Sequence, residues 1–273
     1  MPQIAQVAQV AQIAQIAQID YQVHEAVAEI VLDNAPVNAL TPPMVAALIA
    51  ALQRAAADEA VRAVLVRSAV PRRFCAGLDL TALVGAEPDA LRSLLNDLYT
   101  NLHEAQRQLG KPSIAVVNGA ARGGGMTVAI SCDMILAARS ASFGYPEIDR
   151  GVLPAIHFHH LHRIVGRYRS FELLFTGRDF GADEAERLGL VNRVVDDEAL
   201  LDEARALARL LAGKPAGAVK RGRAAFYDAH DQGWRNGVAH AVETFCASAV
   251  SAEGREGVAA FSEKRAPRWP DRG

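Results

Sequence analysis

The stretch NGAARGGGMTVAISCD, residues 118–133, places three consecutive glycines between an apolar segment and a run of small residues. Gly123, Gly124 and Gly125 therefore stand where a strand is predicted to end and a helix to begin. The first N–H groups of a helix have no partner within the helix, and the helix dipole makes that end positive. Glycine lets a ligand approach these groups closely. The stretch predicts either a site for a negatively charged group or a turn in which glycine serves tight packing.

Two common anion-binding loops do not match these glycines. A phosphate loop requires GxxxxGK followed by Ser or Thr, and a dinucleotide site requires GxGxxG near the first strand with an acidic residue downstream. The segment RGGGMTVA supplies neither pattern. A second glycine loop, FCAGLDL at residues 74–80, follows the apolar segment VRAVLVRS and offers the amide of Leu78. Amides from two loops at strand ends can converge on one oxygen, and such a pair stabilises a thioester enolate.

Length and composition are typical of a globular enzyme. The chain has 273 residues, of which 51% are hydrophobic and 22% charged, and its formal net charge is -2. This charge gives no indication of nucleic-acid or membrane-surface binding. The three cysteines are far apart and form no CxxC pair, which argues against a disulfide framework or a zinc ribbon and suits a reducing cytosol. No segment resembles a membrane span or a signal peptide.

The central part of the chain alternates short apolar segments with helical patterns. Residues 21–33 have the pattern of a strand or hairpin, and a helix is predicted to begin after Thr41 as its cap, with Pro42 in the first turn. The other predicted elements are a strand at 61–68, a loop at 74–80, a long amphipathic helix at 89–110, a strand at 111–119 and a strand pair at 133–144. This alternation predicts an α/β fold with parallel character.

The two ends of the chain have different patterns. Residues 1–19 repeat Gln, a β-branched residue and Ala with a period of three, which fits neither a helix nor a strand. We interpret them as a low-complexity tail, with a Gln-lined edge strand or an assembly tail as alternatives. Helical patterns dominate after Asp183. The chain is thus divided into the tail (1–19), an α/β core (20–205) and a C-terminal helical region (206–273) that would cover the core or a partner subunit.

Five segments, taken in order, resemble the enoyl-CoA hydratase/isomerase (crotonase) superfamily. They are FCAGLDL, NGAARGGGMTVAISCD, SFGYPEIDRGVLP, LLFTGRDFGADEAERLGLVNRVV and GVAAFSEKRAP. Together they extend over roughly residues 21–267. The resemblance implies a crotonase-like spiral of ββα units with a C-terminal helical oligomerisation region, forming a homotrimer or a dimer of trimers. It also implies an acyl-CoA thioester as substrate, so that coenzyme A is part of the substrate and neither a separate cofactor nor a metal is expected.

The family motifs also imply roles for individual residues. By motif match, the amides of Leu78 and Gly124 form an oxyanion hole for the thioester carbonyl. The backbone of the first glycine loop would hold the adenine of coenzyme A. Lys264 lies where relatives bring a cation towards the coenzyme A phosphates, although a solvated surface lysine is an equal alternative. The implied substrate-binding residues are Cys75, Ala76, Gly77, Gly123, Thr127 and Lys264.

The carboxylates depart from the hydratase pattern. Hydratases of this family have a motif similar to GGGCELA at this place, with a glutamate two residues after the third glycine. This chain has Thr127 at that position. A threonine hydroxyl can orient a water but cannot act as an acid or base near neutral pH. The second family carboxylate is kept as Glu147 in YPEIDRG, for which an exposed turn acid is the alternative interpretation. Hydration uses two carboxylates, whereas one suffices to move a proton between C4 and C2, as in the single-glutamate relatives that are enoyl-CoA isomerases.

A histidine-rich segment is the second departure. AIHFHHLHRIVGR, residues 155–167, stands where hydratases carry the glycine-rich PGAGGTQRL. Its histidines have three possible roles, namely metal binding, an acid lining the acyl pocket, and packing or surface placement. Metal binding lacks a matching acidic or cysteine ligand. The histidines concerned are His157, His159, His160 and His162.

These observations predict a cytosolic enzyme that acts on an acyl-CoA thioester, with Glu147 as base and acid. Isomerisation of an enoyl-CoA double bond is the first candidate. Hydration, with Thr127 positioning the water and Glu147 acting alone or with a histidine, is the second, and thioester hydrolysis or decarboxylation is the third. Because Thr127 replaces a glutamate, a non-catalytic acyl-CoA-binding or scaffold protein is the alternative from another class.

Overall fold

The computed structural model describes residues 18–79, 81, 87–231 and 234–269. The first seventeen residues of the expected N-terminal tail lie outside this range. Ile19, the last residue assigned to that tail, is buried and begins the first strand.

Twelve strands in the described residues form three sheets. The largest has the order β1-β2-β4-β7-β9-β12; β1 and β2 form an antiparallel hairpin, and the other neighbours in this sheet are parallel. A second sheet has the order β11-β10-β8-β5, and β3 pairs with β6. The strands are β1 (Ile19–His24), β2 (Val27–Leu32), β3 (Ala39–Leu40), β4 (Ala63–Ser68), β5 (Arg73–Cys75), β6 (Gly77–Leu78), β7 (Ser113–Val117), β8 (Ala120–Arg122), β9 (Met134–Ala138), β10 (Ser142–Gly144), β11 (Phe180–Gly181) and β12 (Arg193–Val195).

Helices cover the large sheet and form the C-terminal part of the chain. Every residue of β2 and of β7 is buried, which is typical of a sheet covered on both faces. The predicted cap is confirmed, because the Thr41 side chain accepts a hydrogen bond from the Met44 amide at the start of the first helix. The helices are α1 (Pro42–Ala57), α2 (Pro88–Asn96), α3 (Leu102–Gln108), α4 (Gly124–Ser131), α5 (His157–Val165), α6 (Arg167–Thr176), α7 (Ala182–Arg187), α8 (Leu200–Ala212), α9 (Ala216–Asp231), α10 (Trp234–Ala249) and α11 (Ala252–Ser262).

The predicted α/β architecture is confirmed, with two local corrections. FCAGLDL is not only a loop, because it contains β6 and the end of β5, which pair with β3 and β8 respectively. The long helix expected at 89–110 is interrupted by a π-helical turn, Asp97–Asn101, between α2 and α3. Both corrections concern elements that contribute to the candidate site described below.

The C-terminal helices are attached to the α/β layers by partly buried ion pairs. Arg205 on α8 binds the buried carboxylate of Glu29 on β2 at 2.6 Å. Arg223 on α9 is also buried and contacts both carboxylate oxygens of Asp133, at 3.0 and 2.9 Å. These contacts join the helical region to the core. Among the described helices, none combines the length and apolar character needed to cross a membrane.

Candidate active site

Two glycine turns meet at the junction between β6 and α4. Gly77 has φ +91°, a left-handed conformation that favours glycine, and a Cβ built on it would lie 2.9 Å from the amide nitrogen of Gly124. The same Cβ would lie 2.7 Å from the carbonyl oxygen of Arg122. Because both neighbours are backbone atoms, a side chain at residue 77 would force the two turns apart. Glycine at this position therefore permits the close approach of the two loops.

The amides of Leu78 and Gly124 lie close to each other at this junction. The Leu78 nitrogen would be 3.2 Å from a Cβ built on Gly124. Gly124 is the first residue of α4, where a helical N–H has no partner within the helix. The amide of Asp79 donates to Leu40 on β3, and because successive strand amides point to opposite sides, the Leu78 amide points away from β3. Two donors from two loops are thus available at one place.

A cavity of about 570 Å³ lies against these two amides. Its lining includes backbone from both glycine turns together with apolar side chains from α2 and from the segment before α5. Glu147 and Arg150 are the charged side chains that the 3₁₀ turn Pro146–Arg150 contributes to the lining. The residues of the two glycine turns in the lining are Ala76, Gly77, Leu78, Arg122, Gly123 and Gly124.

The carboxylate of Glu147 packs against the backbone of Gly123. A Cβ on Gly123 would lie only 2.7 Å from Oε1 of Glu147, and the other oxygen, Oε2, is buried with no hydrogen-bond partner in the described part of the chain. Burial raises the pKa of Glu147 above its ordinary value, and a hydrogen bond to its own backbone and the nearby charge of Arg150 offset this only in part. The Glu147 charge in turn adds to the burial that raises the pKa of the Tyr99 phenol, which lines the same cavity.

Sequence comparison identifies the family to which this chain belongs. A family model described as enoyl-CoA hydratase/isomerase matches residues 22–272. This chain is a member of the enoyl-CoA hydratase/isomerase family. A probable enoyl-CoA hydratase of Mycobacterium leprae is 35% identical over 237 residues, covering 86% of this chain and 90% of that protein. The mitochondrial enoyl-CoA hydratase domain-containing protein 2 of Homo sapiens is 36% identical, covering 90% of this chain and 86% of that protein.

Solved structures agree with this assignment. A crystal structure of an enoyl-CoA hydratase from Mycobacterium smegmatis superposes with a TM-score of 0.87 at 35% identity, covering 92% of this chain and 98% of that chain. An enoyl-CoA hydratase from Bacillus anthracis superposes with a TM-score of 0.87 at 29% identity, with 92% and 98% covered. The predicted crotonase-type fold is therefore confirmed.

The residues that the sequence predicts for the site of this enoyl-CoA hydratase/isomerase family member fall into two groups, according to whether they line the cavity. The first group lines the cavity and contains Glu147, Leu78, Gly124, Ala76, Gly77 and Gly123. Cys75, Thr127 and Lys264 belong to the second group and do not line it among the described residues. Cys75 is buried behind the turn, where its carbonyl faces Gly125 and burial raises the pKa of its thiol to about 12. Lys264 is exposed just after α11.

Thr127 lies under the cavity rather than in it. It is buried on α4, and its hydroxyl oxygen is 3.4 Å from Nε2 of His157. His157 on α5 is buried as well, and its Nδ1 is 3.3 Å from Nε2 of His160. The position that is a glutamate in the hydratase motif GGGCELA is therefore occupied here by a threonine that faces a histidine. This placement differs from the expected substrate-binding role of Thr127.

The four histidines of α5 fall on two sides of the helix. His157 and His160 face inwards, whereas His159 and His162 are exposed. Burial lowers the pKa of His157 to about 3 and that of His160 to about 4, with repulsion from neighbouring histidines as the next cause. In the part of the chain that the structure describes, no group of three or more His, Cys, Asp or Glu side chains could hold a metal ion.

Several lining residues were not singled out from the sequence. Leu91, Leu95, Tyr99, Val152 and Leu153 make the cavity mostly apolar, as an acyl chain requires. The residue Tyr99 sits in the π-helical turn between α2 and α3. Such turns often occur at functional sites, but they break the 3.6-residue period from which a helix face is predicted. The sequence contained no signal for the π-helical turn.

Proposed function

We propose that this family member moves the double bond of an enoyl-CoA thioester from C3–C4 to C2–C3. The thioester oxygen would be held by the amides of Leu78 and Gly124, and Glu147 would take a proton from C2 and return it to C4. The observation that carries the proposal is that Glu147 is the one carboxylate among the described residues that line the cavity. A single acid and base can perform this 1,3-proton shift, whereas hydration is served best by two.

The two amides supply the electrostatic part of the mechanism. Loss of the C2 proton places negative charge on the thioester oxygen of the dienolate. Two fixed N–H donors that point at this oxygen stabilise the charge without reorganisation, and losing one such donor typically costs about 10²–10³ in kcat. The contact between Gly77 and the Gly124 amide keeps both donors together.

The environment of Glu147 suits a group that both takes and gives a proton. A carboxylate with an ordinary pKa is a weak base, and proton transfer is most efficient when the pKa lies near the working pH. Burial raises the pKa of Glu147 towards that range. The carboxylate also lies against Gly123, whose peptide group carries the Gly124 N–H that would hold the thioester oxygen.

Hydration of a 2-enoyl-CoA is the second candidate, and the names of the relatives favour it. The Mycobacterium leprae and Mycobacterium smegmatis proteins are both called enoyl-CoA hydratases. With this chain, Glu147 alone would have to activate the water, because the Thr127 hydroxyl faces His157 and lies outside the cavity lining among the described residues. The buried position of His157 likewise argues against its acting on a substrate.

One experiment separates these candidates. Purified protein is incubated with a panel of 2-enoyl- and 3-enoyl-CoA esters while ultraviolet absorbance and product mass are recorded. Isomerisation produces a conjugated ester of unchanged mass, whereas hydration adds the mass of water. Binding of the esters without conversion of any member would instead support a non-catalytic acyl-CoA-binding protein.

We also propose that the protein is cytosolic and assembles as a homotrimer or a dimer of trimers. The three C-terminal helices carry large apolar side chains that are exposed in the single chain, as a protein interface would require. Light scattering coupled to size-exclusion chromatography measures the assembly, and a monomer would contradict the proposal. The exposed side chains are Phe226, Val242, Phe245, Val258 and Phe261.

A further inference from the structure

Three charged side chains line the cavity among the described residues, namely Arg122, Glu147 and Arg150. The guanidinium group of Arg122 is held away from a ligand by its own partners. It forms an ion pair with Asp179 at 2.6 Å and donates to the carbonyl and hydroxyl oxygens of Ser142 at 2.7 and 2.9 Å. Glu147 is the proposed acid and base. Arg150 is therefore the charged lining residue that the proposed mechanism does not use.

Most of the hydrogen-bonding capacity of Arg150 is open to a ligand. The side chain is exposed, and one of its terminal nitrogens donates to the Pro146 carbonyl oxygen at 2.9 Å. It forms no ion pair with a described residue. Since a guanidinium group carries five N–H donors, this single bond leaves the others to water or to a bound molecule.

Arg150 and Glu147 lie on the same side of one short helical turn. They are three residues apart in the 3₁₀ turn Pro146–Arg150. A 3₁₀ helix has three residues per turn, so side chains at this spacing are eclipsed and lie about 6 Å apart along the axis. Both side chains line the same cavity. The cavity thus holds a guanidinium group one turn away from the carboxylate proposed to act at C2 and C4.

A positive charge at this distance has no use for an acyl chain that ends in a methyl group. An acyl chain that ends in a carboxylate is different, because Glu147 would repel it and its partial removal from water would be costly without a partner. A guanidinium group offers such a carboxylate two parallel N–H donors together with the opposite charge. The pair of Glu147 and Arg150 therefore suits an acyl group that carries a negative charge of its own.

We propose that Arg150 is a specificity-determining residue that binds a carboxylate at the distal end of the acyl group, so that the preferred substrates are enoyl-CoA esters of dicarboxylic acids. This inference rests on the proposed function, in which Glu147 moves a proton between C2 and C4. The apolar side chains of Leu91, Leu95 and Val152, which line the same cavity, would pack against the carbons between the two ends.

The test compares the affinities of three ligands that the enzyme cannot isomerise. Hexanoyl-CoA and adipoyl-CoA have the same six acyl carbons, and adipoyl-CoA has a carboxylate in place of the terminal methyl group. Free CoA reports any contact with the coenzyme A part alone. Dissociation constants are measured by isothermal titration calorimetry for the native protein, Arg150→Gln and Arg150→Lys. Arg169→Gln is the matched control, because Arg169 is exposed on α6 and does not line the described cavity.

The proposal predicts a change for one ligand only. Native protein should bind adipoyl-CoA about tenfold more tightly than hexanoyl-CoA, as expected for hydrogen bonds between charged groups. Arg150→Gln should weaken adipoyl-CoA binding about tenfold and change the affinities for hexanoyl-CoA and CoA by less than about twofold. Arg150→Lys should keep part of the preference, because an ammonium group retains the charge but not the paired donors. Arg169→Gln should behave as the native protein does.

The inference is wrong if native protein binds adipoyl-CoA no more tightly than hexanoyl-CoA. It is equally wrong if Arg150→Gln weakens all three ligands by the same factor, since Arg150 would then contact the coenzyme A phosphates or only stabilise its own turn. If Arg150→Gln does not fold, Arg150→Lys decides, and an undiminished native preference in that variant would overturn the inference.

Turnover of the matching unsaturated esters keeps this inference separate from the proposed function. Native protein is also given trans-3-hexenoyl-CoA and trans-3-hexenedioyl-CoA, and the products are identified by mass. If adipoyl-CoA is preferred through Arg150 but neither unsaturated ester is isomerised, the proposed function fails while the recognition of the distal carboxylate stands.

Discussion

The carboxylate of Glu147 and the α-carbon of Gly123 are in contact, so closely that a methyl group on Gly123 would lie 2.7 Å from Oε1. Gly123 also has φ +48°, which an L side chain adopts only under strain. The carboxylate that we propose as the acid and base is therefore fixed by one glycine relative to the peptide that carries a proposed oxyanion donor. A change at Gly123 should alter the positions of both groups.

The first prediction concerns Gly123→Ala. The added methyl group should displace the Glu147 carboxylate and strain the backbone, lowering kcat by about 10–100-fold and the free energy of unfolding by about 1–3 kcal/mol. Gly222→Ala is the matched control, because a Cβ there meets nothing within 4 Å and its helix α9 tolerates alanine. Steady-state kinetics and chemical denaturation measure both. Native kinetics in Gly123→Ala would show that the contact has no functional role.

The second prediction concerns pH dependence. Glu147 must be ionised to accept the C2 proton, and burial raises its pKa above the ordinary value of 4.5. The acid limb of kcat/KM should therefore lie above pH 4.5, with activity lost as pH falls through the raised pKa. A pH profile measured with a 3-enoyl-CoA ester tests this. An acid limb at or below the ordinary carboxyl range would mean that Glu147 is not the base, or that it is not desolvated.

The third prediction concerns the stability of Glu147→Gln. Because the pKa of Glu147 is higher in the folded than in the unfolded state, the folded protein binds more protons and its stability falls as pH rises through this interval. At neutral pH the ionised, partly unpaired carboxylate is destabilising. Replacing it with a neutral amide should raise the free energy of unfolding by about 1 kcal/mol. The difference from the native protein should vanish below pH 4.5, and equal or lower stability at neutral pH would contradict this account.

The sequence predicted best those features that depend on neighbouring residues or on glycine turns of the backbone. The hairpin of β1 and β2 and the Thr41 cap depend on neighbouring residues and were predicted. Leu78 and Gly124 were named from the glycine loops and their match to the family motif, and both line the cavity. By contrast, β5 and β6 were missed because their partners, β8 and β3, lie far away in the sequence.

Side-chain placement was the part that the sequence could not provide. Thr127 and His157 are thirty residues apart, and nothing in either segment indicates that they face each other. Tyr99 was missed because the π-helical turn at 97–101 shifts the helix face by a residue. Lys264 matches the family motif, yet in the single chain it is exposed after α11 and does not line the described cavity. These features depend on packing between elements rather than on local pattern.

The fourth prediction concerns Thr127→Val, which removes the hydroxyl group while keeping the size of the side chain. Since this hydroxyl faces His157 and not the cavity, turnover of a 3-enoyl-CoA ester should change by less than about threefold, well below the 10²–10⁴ typical of a lost acid or base. Thr127→Ser is the control that keeps the hydroxyl. A hundredfold loss in the valine variant alone, measured with a 2-enoyl-CoA ester, would instead make Thr127 the residue that orients a water.

Whether Glu147 moves the double bond is tested by giving native protein and Glu147→Gln the ester trans-3-hexenoyl-CoA and identifying the first product by chromatography and mass. Native protein should form 2-hexenoyl-CoA of unchanged mass. Glu147→Gln should be slower by about 10²–10⁴ while binding the ester as well as native protein does. Undiminished turnover in Glu147→Gln, or native protein that leaves this ester unchanged while adding water to 2-hexenoyl-CoA, would contradict it.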